Sequence, residues 1–151
     1  MIRFLLYTLD GPKFDDDAYE ITLPTMDGEI GVLPGHMPLI SVASHGMILV
    51  RRKPTDRDDV RDVFAISGGT IQVENDVLKV LVDEADHADE LNEQEVKEAF
   101  ERAKKMKADA KDPVSLQHAQ TLMDRQAVRL QVAGLKRRKR WGQRTVHILG
   151  E

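Results

Sequence analysis

The sequence predicts an α+β protein: an N-terminal antiparallel β-sandwich followed by a C-terminal antiparallel two-helix hairpin. Three observations lead to this fold class. Apolar residues alternate with polar ones up to about Glu84, they follow a helical period after Leu91, and an Asp112-Pro113 pair divides the helical part. A chain of 151 residues, 41% of them hydrophobic and 32% charged, suffices for one small sandwich with such an appendage.

Strands are predicted where apolar residues recur at every second position. Clear rows of this kind occupy residues 19–23, 71–73 and 78–82, and further β-rich runs occupy residues 2–9, 46–51 and 63–67. Turn sequences such as Asp27-Gly28 and Pro34-Gly35 separate these runs. Many short strands with regular turns are typical of a β-sandwich or barrel.

The helical part begins at a capping pattern. Asn92 can cap a helix, and Glu95 three residues later completes a capping box. Asp112 followed by Pro113 predicts the start of a second helix, and Gly134 is a candidate stop. Alanine recurs on the apolar face of both helices, so the seam between them is predicted to be thin. The predicted domains are a sandwich at 1–88, a helical hairpin at 89–140 and a C-terminal tail at 141–151.

Composition excludes several classes of protein. The chain has no cysteine, which removes disulfide frameworks, thiolate nucleophiles and cysteine metal sites. No secretory leader is visible, and the longest uncharged run, from Leu33 to Val50, is too interrupted by prolines and glycines to span a bilayer. Nucleophile elbows, phosphate loops and zinc-ligand spacings are also missing, so we predict no catalytic residue, no metal site and no cofactor. Asp15, Asp16 and Asp17 could bind a divalent cation, but such a run between strands is more often a solvated loop.

Charge is distributed unevenly along the chain. The net charge is −4, yet residues 113–151 carry eight basic and two acidic side chains. Five consecutive basic residues precede Trp141: Lys136, Arg137, Arg138, Lys139 and Arg140. This basic cluster suits nucleic acid, an anionic membrane or an acidic protein surface, or it is a solvated helix end. Two competing hypotheses are a β-sandwich adapter whose basic end binds nucleic acid or an anionic membrane, and a carbohydrate-active sandwich enzyme, for which 5% aromatic residues offer little sugar binding.

One segment predicts a defined backbone path. Residues 28–39 hold three glycines and two prolines and present Glu29 and His36 at turns. The run GEIGVLPGHMPLIS, followed by ISGGTIQVENDVLKVLVDEADHADELN, resembles the epsilon subunit of F-type ATP synthases. The resemblance covers roughly residues 1–135, and the Gly-Glu-x-Gly-x-x-Pro-Gly-His-x-Pro-Leu block is its most specific part.

The resemblance implies a non-catalytic rotor subunit in the central stalk of a proton-translocating ATP synthase. Such a subunit couples rotation of the membrane c-ring to the gamma shaft. Gly28, Glu29 and Gly31 match the loop that meets the c-ring, whereas His36 and Ser41 match positions that face the gamma subunit. No nucleic-acid partner is implied, and membrane association runs through the complex only. The expected location is the cytoplasmic face of the bacterial plasma membrane, as a peripheral protein, or alternatively the stromal face of the thylakoid.

In this family the helical hairpin is the mobile, regulatory part. When extended, it reaches the alpha/beta catalytic hexamer and inhibits ATP hydrolysis, and the basic cluster at 136–140 is expected to strengthen that inhibition through an acidic segment of the hexamer. Some members also bind ATP with an aspartate and an arginine on the first helix. The stretch from Leu91 to Val96 lacks both, and Arg125 and Arg129 on the second helix remain as the candidate ATP-binding residues.

Overall fold

The computed structural model describes the backbone of residues 1–149 and the side chains of residues 1–135. The chain divides into two compact units, Met1–His87 and Ala88–Glu151. The first unit contains β-strands and one short 3₁₀ helix, Asp58–Val60, and the second contains two α-helices preceded by a 3₁₀ turn at Ala88–Glu90. The predicted α+β fold class is confirmed.

Ten strands form the first unit, and each predicted run of alternating residues lies in one of them. The strands are β1 (Ile2–Thr8), β2 (Gly11–Ala18), β3 (Glu20–Thr25), β4 (Gly28–Val32), β5 (Leu39–Ala43), β6 (Gly46–Arg51), β7 (Asp62–Ile66), β8 (Gly69–Glu74), β9 (Val77–Val82) and β10 (Ala85–His87). Strands β2 and β4 lie where the sequence predicted turns or a polar loop, and β5 and β10 lie outside the predicted runs.

The strands form one continuous ladder in the order β10-β7-β6-β3-β5-β8-β9-β1-β2, with β4 paired to β3. Every pair in this ladder is antiparallel except β1 with β9, which run parallel from Arg3 opposite Val77 to Tyr7 opposite Leu81. The purely antiparallel sandwich therefore has one exception. Long-range pairing of this kind has no local signature, because β1 and β9 lie at opposite ends of the unit's sequence.

A single apolar core fills the first unit. Its largest fully buried side chains include Phe4, Phe64 and Leu78. Inward and outward positions alternate on β8 and β9, so Ile71, Val73, Leu78 and Val80 are buried while the residues between them are exposed. The buried side chains of β8 and β9 therefore anchor these strands to the core, and the exposed side chains project from the opposite side of the sheet.

The acidic run Asp15, Asp16 and Asp17 lies on β2 and not in a solvated loop, which corrects that expectation. Arg3 contacts Asp15 at 2.6 Å and Asp17 at 3.8 Å, and Arg52 contacts Asp16 at 3.5 Å. The run tolerates a strand because β2 is the last strand of the ladder and these carboxylates have arginine partners. Among the residues that the structure describes, no group of three His, Cys, Asp or Glu side chains could hold a metal ion.

A ring of contacts ties β10 to the sheet. The guanidinium of Arg52 lies 4.8 Å from the ring centroid of Phe14, Phe14 packs edge-on against Phe64, and Phe64 packs edge-on against His87. Asp62 closes the ring, because its carboxylate accepts a hydrogen bond from Arg52 Nε at 2.6 Å and lies 3.0 Å from His87 Nε2. Charge and aromatic packing thus act together where the two end strands of the ladder, β2 and β10, come close to each other.

This ring predicts an acid-sensitive contribution to stability. Burial raises the pKa of Asp62, but the hydrogen bonds from His87 and Arg52 outweigh burial and leave that pKa below its usual value of 3.8. The ionised carboxylate therefore stabilises the fold above the unfolded-state pKa, and this stabilisation is lost as pH falls through the lower, folded-state value. We expect Asp62→Asn to cost about 1–3 kcal/mol at pH 7 and to flatten the loss of stability below about pH 4.

Thermal unfolding followed by β-sheet circular dichroism between pH 2 and 7 measures this effect. Asp10→Asn, in the exposed turn between β1 and β2, is the matched control and should keep the wild-type acid dependence. An equally steep acid dependence in Asp62→Asn would contradict the assignment.

The second unit contains α1 (Glu93–Asp109) and α2 (Pro113–Leu149). Both predicted caps are confirmed: Asn92 accepts a hydrogen bond from Glu95 N at 3.1 Å, and Asp112 accepts one from Ser115 N at 2.7 Å. The second carboxylate oxygen of Asp112 also accepts a hydrogen bond from the Ser115 hydroxyl. These contacts lower the pKa of Asp112, with the backbone hydrogen bond as the largest cause.

The predicted stop at Gly134 is wrong, because α2 continues without interruption to Leu149 and includes residues 141–149 of the predicted tail. Glycine within a helix costs only about 1 kcal/mol relative to alanine, and the buried neighbours Val132 and Ala133 hold the helix at this point. Among the helix residues up to 135, whose side chains the structure describes, the other buried ones are Val96, Ala103 and Ala119, which agrees with a thin, alanine-rich seam. No helix in the described part of the chain is both long and apolar enough to cross a membrane.

Candidate functional site

The hairpin of β3 and β4 presents the first group of predicted site residues. The Thr25 hydroxyl donates to Gly28 O at 2.6 Å and closes the turn, where Gly28 has a φ of +113° that favours glycine. Glu29 lies on β4 opposite Pro24, directly beside this turn, and its side chain is exposed. The expectation that Glu29 sits at a turn of a rigid loop is therefore corrected: the adjoining strand holds it.

Gly31 lies two residues further along β4, opposite Thr22. A Cβ at this position would meet no atom within 4 Å, so the backbone itself does not require glycine there. An open, unobstructed strand surface leaves room for a partner to approach the main chain closely. The hairpin also exposes Met26, with 80% of its surface accessible, and no sequence motif indicated this residue.

The segment between β4 and β5 carries the second group. Residues 33–36 form a tight turn in which His36 N donates to Leu33 O at 3.1 Å. Pro34 at the second position and Gly35 at the third, with a φ of +81°, identify this turn as type II. The His36 ring is half-buried, and its Nδ1 lies 2.7 Å from Met37 O. Residues 33–38 are thus the ordered connection that the glycine and proline content predicted.

Strand β5 directs alternate residues to opposite sides of the sheet. Ser41 pairs with the fully buried Ile71 and is half-buried, whereas its neighbours Ile40 and Val42 are exposed at 82% and 58%. Ser41 and the exposed pair therefore lie on different faces of β5. The structure brings Ile40 and Val42, rather than Ser41, to the outer surface.

Ile40 and Val42 belong to a larger exposed face. Val42 pairs with Thr70, which pairs with Leu81, and Leu81 is 57% exposed. Ile40 begins the adjacent row, which continues through Gln72 and Lys79. We call these six residues of β5, β8 and β9 the outer face; it combines three apolar side chains with three polar ones on a rigid sheet. The sequence contains one signal for this face that was not used: β5 has apolar residues at both its inward and its outward positions.

The helical candidates lie on α2. Arg125 and Arg129 are half-buried one turn apart, and Arg129 Nη1 donates to Gln126 Oε1 at 3.0 Å. The basic cluster from Lys136 to Arg140 lies outside the residues whose side chains the structure describes, although the backbone there is helical.

Sequence comparison relates the chain to ATP synthase subunits. A family model described as the beta-sandwich domain of the ATP synthase delta/epsilon chain matches residues 1–88. The chain is 36% identical to the ATP synthase epsilon chain of Synechococcus elongatus, over 83% of this chain and 89% of that protein. It is 30% identical to the epsilon chain of Halalkalibacterium halodurans, over 84% and 92% of the two chains.

Solved structures show the same fold. A chain in the cryo-EM structure of the Euglena gracilis mitochondrial ATP synthase superposes with a TM-score of 0.73 at 23% identity, covering 87% of this chain and 80% of that one. A chain of the Tetrahymena thermophila mitochondrial enzyme gives a TM-score of 0.55 at 14% identity, covering 85% and 93%. The family match, the two bacterial relatives and the sandwich with its helices agree, and the chain belongs to the family of ATP synthase epsilon chains, which are non-catalytic subunits.

Proposed function

We propose that this chain is the central-stalk rotor subunit of a proton-translocating F-type ATP synthase, where it couples rotation of the c-ring to the gamma subunit. The observation that supports this most is the outer face. Three apolar side chains exposed on a sheet that already has a complete core indicate a surface that a partner covers. A stiff β-sheet also suits a part that transmits torque.

The outer face is the proposed gamma-binding surface. Ile40, Val42 and Leu81 supply apolar contact, and His36 on the ordered turn borders the start of β5. Ser41 lies on the opposite side of β5, so it supports this surface through the strand and not by direct contact. Apolar groups at the centre with polar groups around them are typical of stable protein interfaces.

The β3–β4 hairpin is the proposed c-ring contact. Its turn exposes Met26 and places Gly28, Glu29 and Gly31 along one short strand. Glu29 supplies a carboxylate for polar groups of the ring, and the glycines allow close approach of the two main chains. We expect Glu29→Gln to weaken coupling of proton transport to ATP synthesis several-fold while binding to gamma persists, and ATP-driven proton pumping in reconstituted vesicles measures this. Asp27→Asn, in the same turn, is the control.

The helical hairpin is the proposed regulatory element, with the alpha/beta hexamer as its partner in an extended state. The seam between α1 and α2 buries mainly alanine and valine, so separating the helices exposes little apolar surface. Helix α2 alone, with 37 residues, is about 55 Å long. The basic cluster at its distal part then attracts an acidic segment of the hexamer. Through these partners the protein lies peripherally at the cytoplasmic face of a bacterial membrane, or at the stromal face of a thylakoid.

Titration of an epsilon-depleted ATP synthase tests the proposal. Full-length chain should bind stoichiometrically and lower the rate of ATP hydrolysis. A variant with Lys136, Arg137, Arg138, Lys139 and Arg140 replaced by glutamine should bind equally and inhibit less, and the difference should shrink with added salt. Equal inhibition by both chains would remove the basic cluster from the mechanism. Failure of the full-length chain to bind would contradict the rotor assignment.

A further inference from the structure

A hydrogen bond connects the turn that carries His36 to a part of the sheet that is distant in sequence. Gly35 N donates a hydrogen bond to Asp76 Oδ1 at 2.6 Å, across 41 positions of sequence. Residues 33–38 lie between β4 and β5, outside the strand ladder, so the ladder itself does not fix their path. This hydrogen bond therefore links the connecting segment to the turn between β8 and β9.

Asp76 is itself held firmly. Asn75 and Asp76 have φ values of 51° and 59° and form the two-residue turn between the paired residues Glu74 and Val77. The main-chain oxygen of Asp76 also accepts a hydrogen bond from Arg3 N at 2.9 Å, at the start of β1. Three strands thus set the position from which the carboxylate reaches Gly35.

The hydrogen bond acts on the one peptide group that defines the type of the turn. Type I and type II turns differ chiefly by a flip of the central peptide, here the bond between Pro34 and Gly35. The Gly35 N–H belongs to that peptide, so an acceptor at Asp76 opposes the flip. A charged acceptor makes this hydrogen bond stronger than a neutral one would. The orientation of the turn in turn sets where His36 and Met37 emerge beside the outer face.

We propose that Asp76 is a positioning residue for binding of the gamma subunit, acting through Gly35 to hold the His36 turn in its type II form. This inference rests on the proposed function of the outer face. Asp76 does not itself need to touch the partner. Its role is to remove a competing orientation of the turn, which would otherwise reduce the fraction of chains ready to bind.

Two substitutions at position 76 separate positioning from other roles. Asp76→Gly introduces a residue that readily adopts positive φ, but it removes the hydrogen-bond acceptor for Gly35 N. Asp76→Asn also tolerates this φ and retains an oxygen that can accept from Gly35. We expect Asp76→Gly to bind an epsilon-depleted, gamma-containing catalytic complex about tenfold more weakly, and Asp76→Asn to bind within about threefold of wild type. Both should keep the wild-type unfolding midpoint within a few degrees.

Equal affinity of Asp76→Gly and wild type would overturn the proposal. So would equal weakening by both substitutions, since that would implicate the charge of Asp76 and not its hydrogen bond. If wild type itself does not bind, the proposed function fails.

The chemical shift of the Gly35 amide gives a test that depends on neither binding nor a variant. In the wild-type chain the Gly35 amide proton should resonate downfield of a solvent-exposed glycine amide, because it donates a hydrogen bond to a carboxylate oxygen. A Gly35 amide proton at the position of an exposed glycine amide would overturn the positioning role regardless of any binding result. The same measurement remains decisive should Asp76→Gly fail to fold.

Discussion

Replacement of Gly69 by alanine is expected to unfold the N-terminal unit at room temperature or to destabilise it by more than about 4 kcal/mol. A Cβ at this position would lie 1.9 Å from Leu81 O, 2.8 Å from Val82 Cα and 2.9 Å from Leu81 C. All three are main-chain atoms of β9, so no side-chain rotation can relieve the overlap. Relief would require β8 and β9 to separate where Gly69 pairs with Val82.

Denaturant unfolding of the full chain, followed by β-sheet circular dichroism, measures this effect. Gly31→Ala is the matched control, because Gly31 also lies on a strand and an added methyl there meets no atom within 4 Å. The control should stay within about 1 kcal/mol of wild type. A Gly69→Ala chain as stable as the Gly31→Ala control would show that β9 can move aside at small cost.

The double substitution Ile40→Glu with Val42→Glu is expected to abolish binding to the gamma-containing catalytic complex, with affinity reduced more than about 100-fold. Covering each apolar side chain contributes roughly 1.5–3 kcal/mol, and every 1.4 kcal/mol corresponds to a factor of ten in affinity. The new carboxylates would in addition lose their hydration on docking. In the free chain both positions are already exposed, so the unfolding midpoint should change little.

Sedimentation of the chain with the epsilon-depleted complex provides the measurement. Lys53→Glu with Thr55→Glu makes the control, since both residues are exposed on the segment between β6 and β7. That control should bind as wild type does. Retained binding by the Ile40 and Val42 variant would move the gamma-binding surface to another part of the sandwich.

The fold could be predicted from the sequence wherever local chemistry determines it. Alternating rows such as Leu78-Lys79-Val80 predicted strands, and Asn92 and Asp112 predicted the starts of both helices. Strand β2 escaped prediction because only Phe14 and Ala18 of its eight residues are buried, while its carboxylates are neutralised by arginines from elsewhere in the chain. Such pairing depends on tertiary structure and leaves no period in the sequence.

The sequence predicted some residues of the candidate surfaces and missed others. Motif resemblance selected Glu29 and His36, and both lie on ordered, accessible parts of the sandwich. It could not select the outer face, because the direction of Ile40 and Val42 depends on the register of β5 against β8. Nor could it find Asp76, whose contact with Gly35 spans two turns that are distant in sequence.

The parallel pairing of β1 with β9 has a consequence for synthesis of the protein. Strand β1 leaves the ribosome before β9, and it cannot join both of its neighbours until β9, which ends at Val82, has also emerged. During translation β1 therefore stays incompletely paired until nearly the whole N-terminal unit has been synthesised. Fragments that end before Val77 lack β9, an internal strand of the ladder, and should remain unfolded. Completion of the sandwich is then a single late event, which makes this unit slow to nucleate and cooperative once formed.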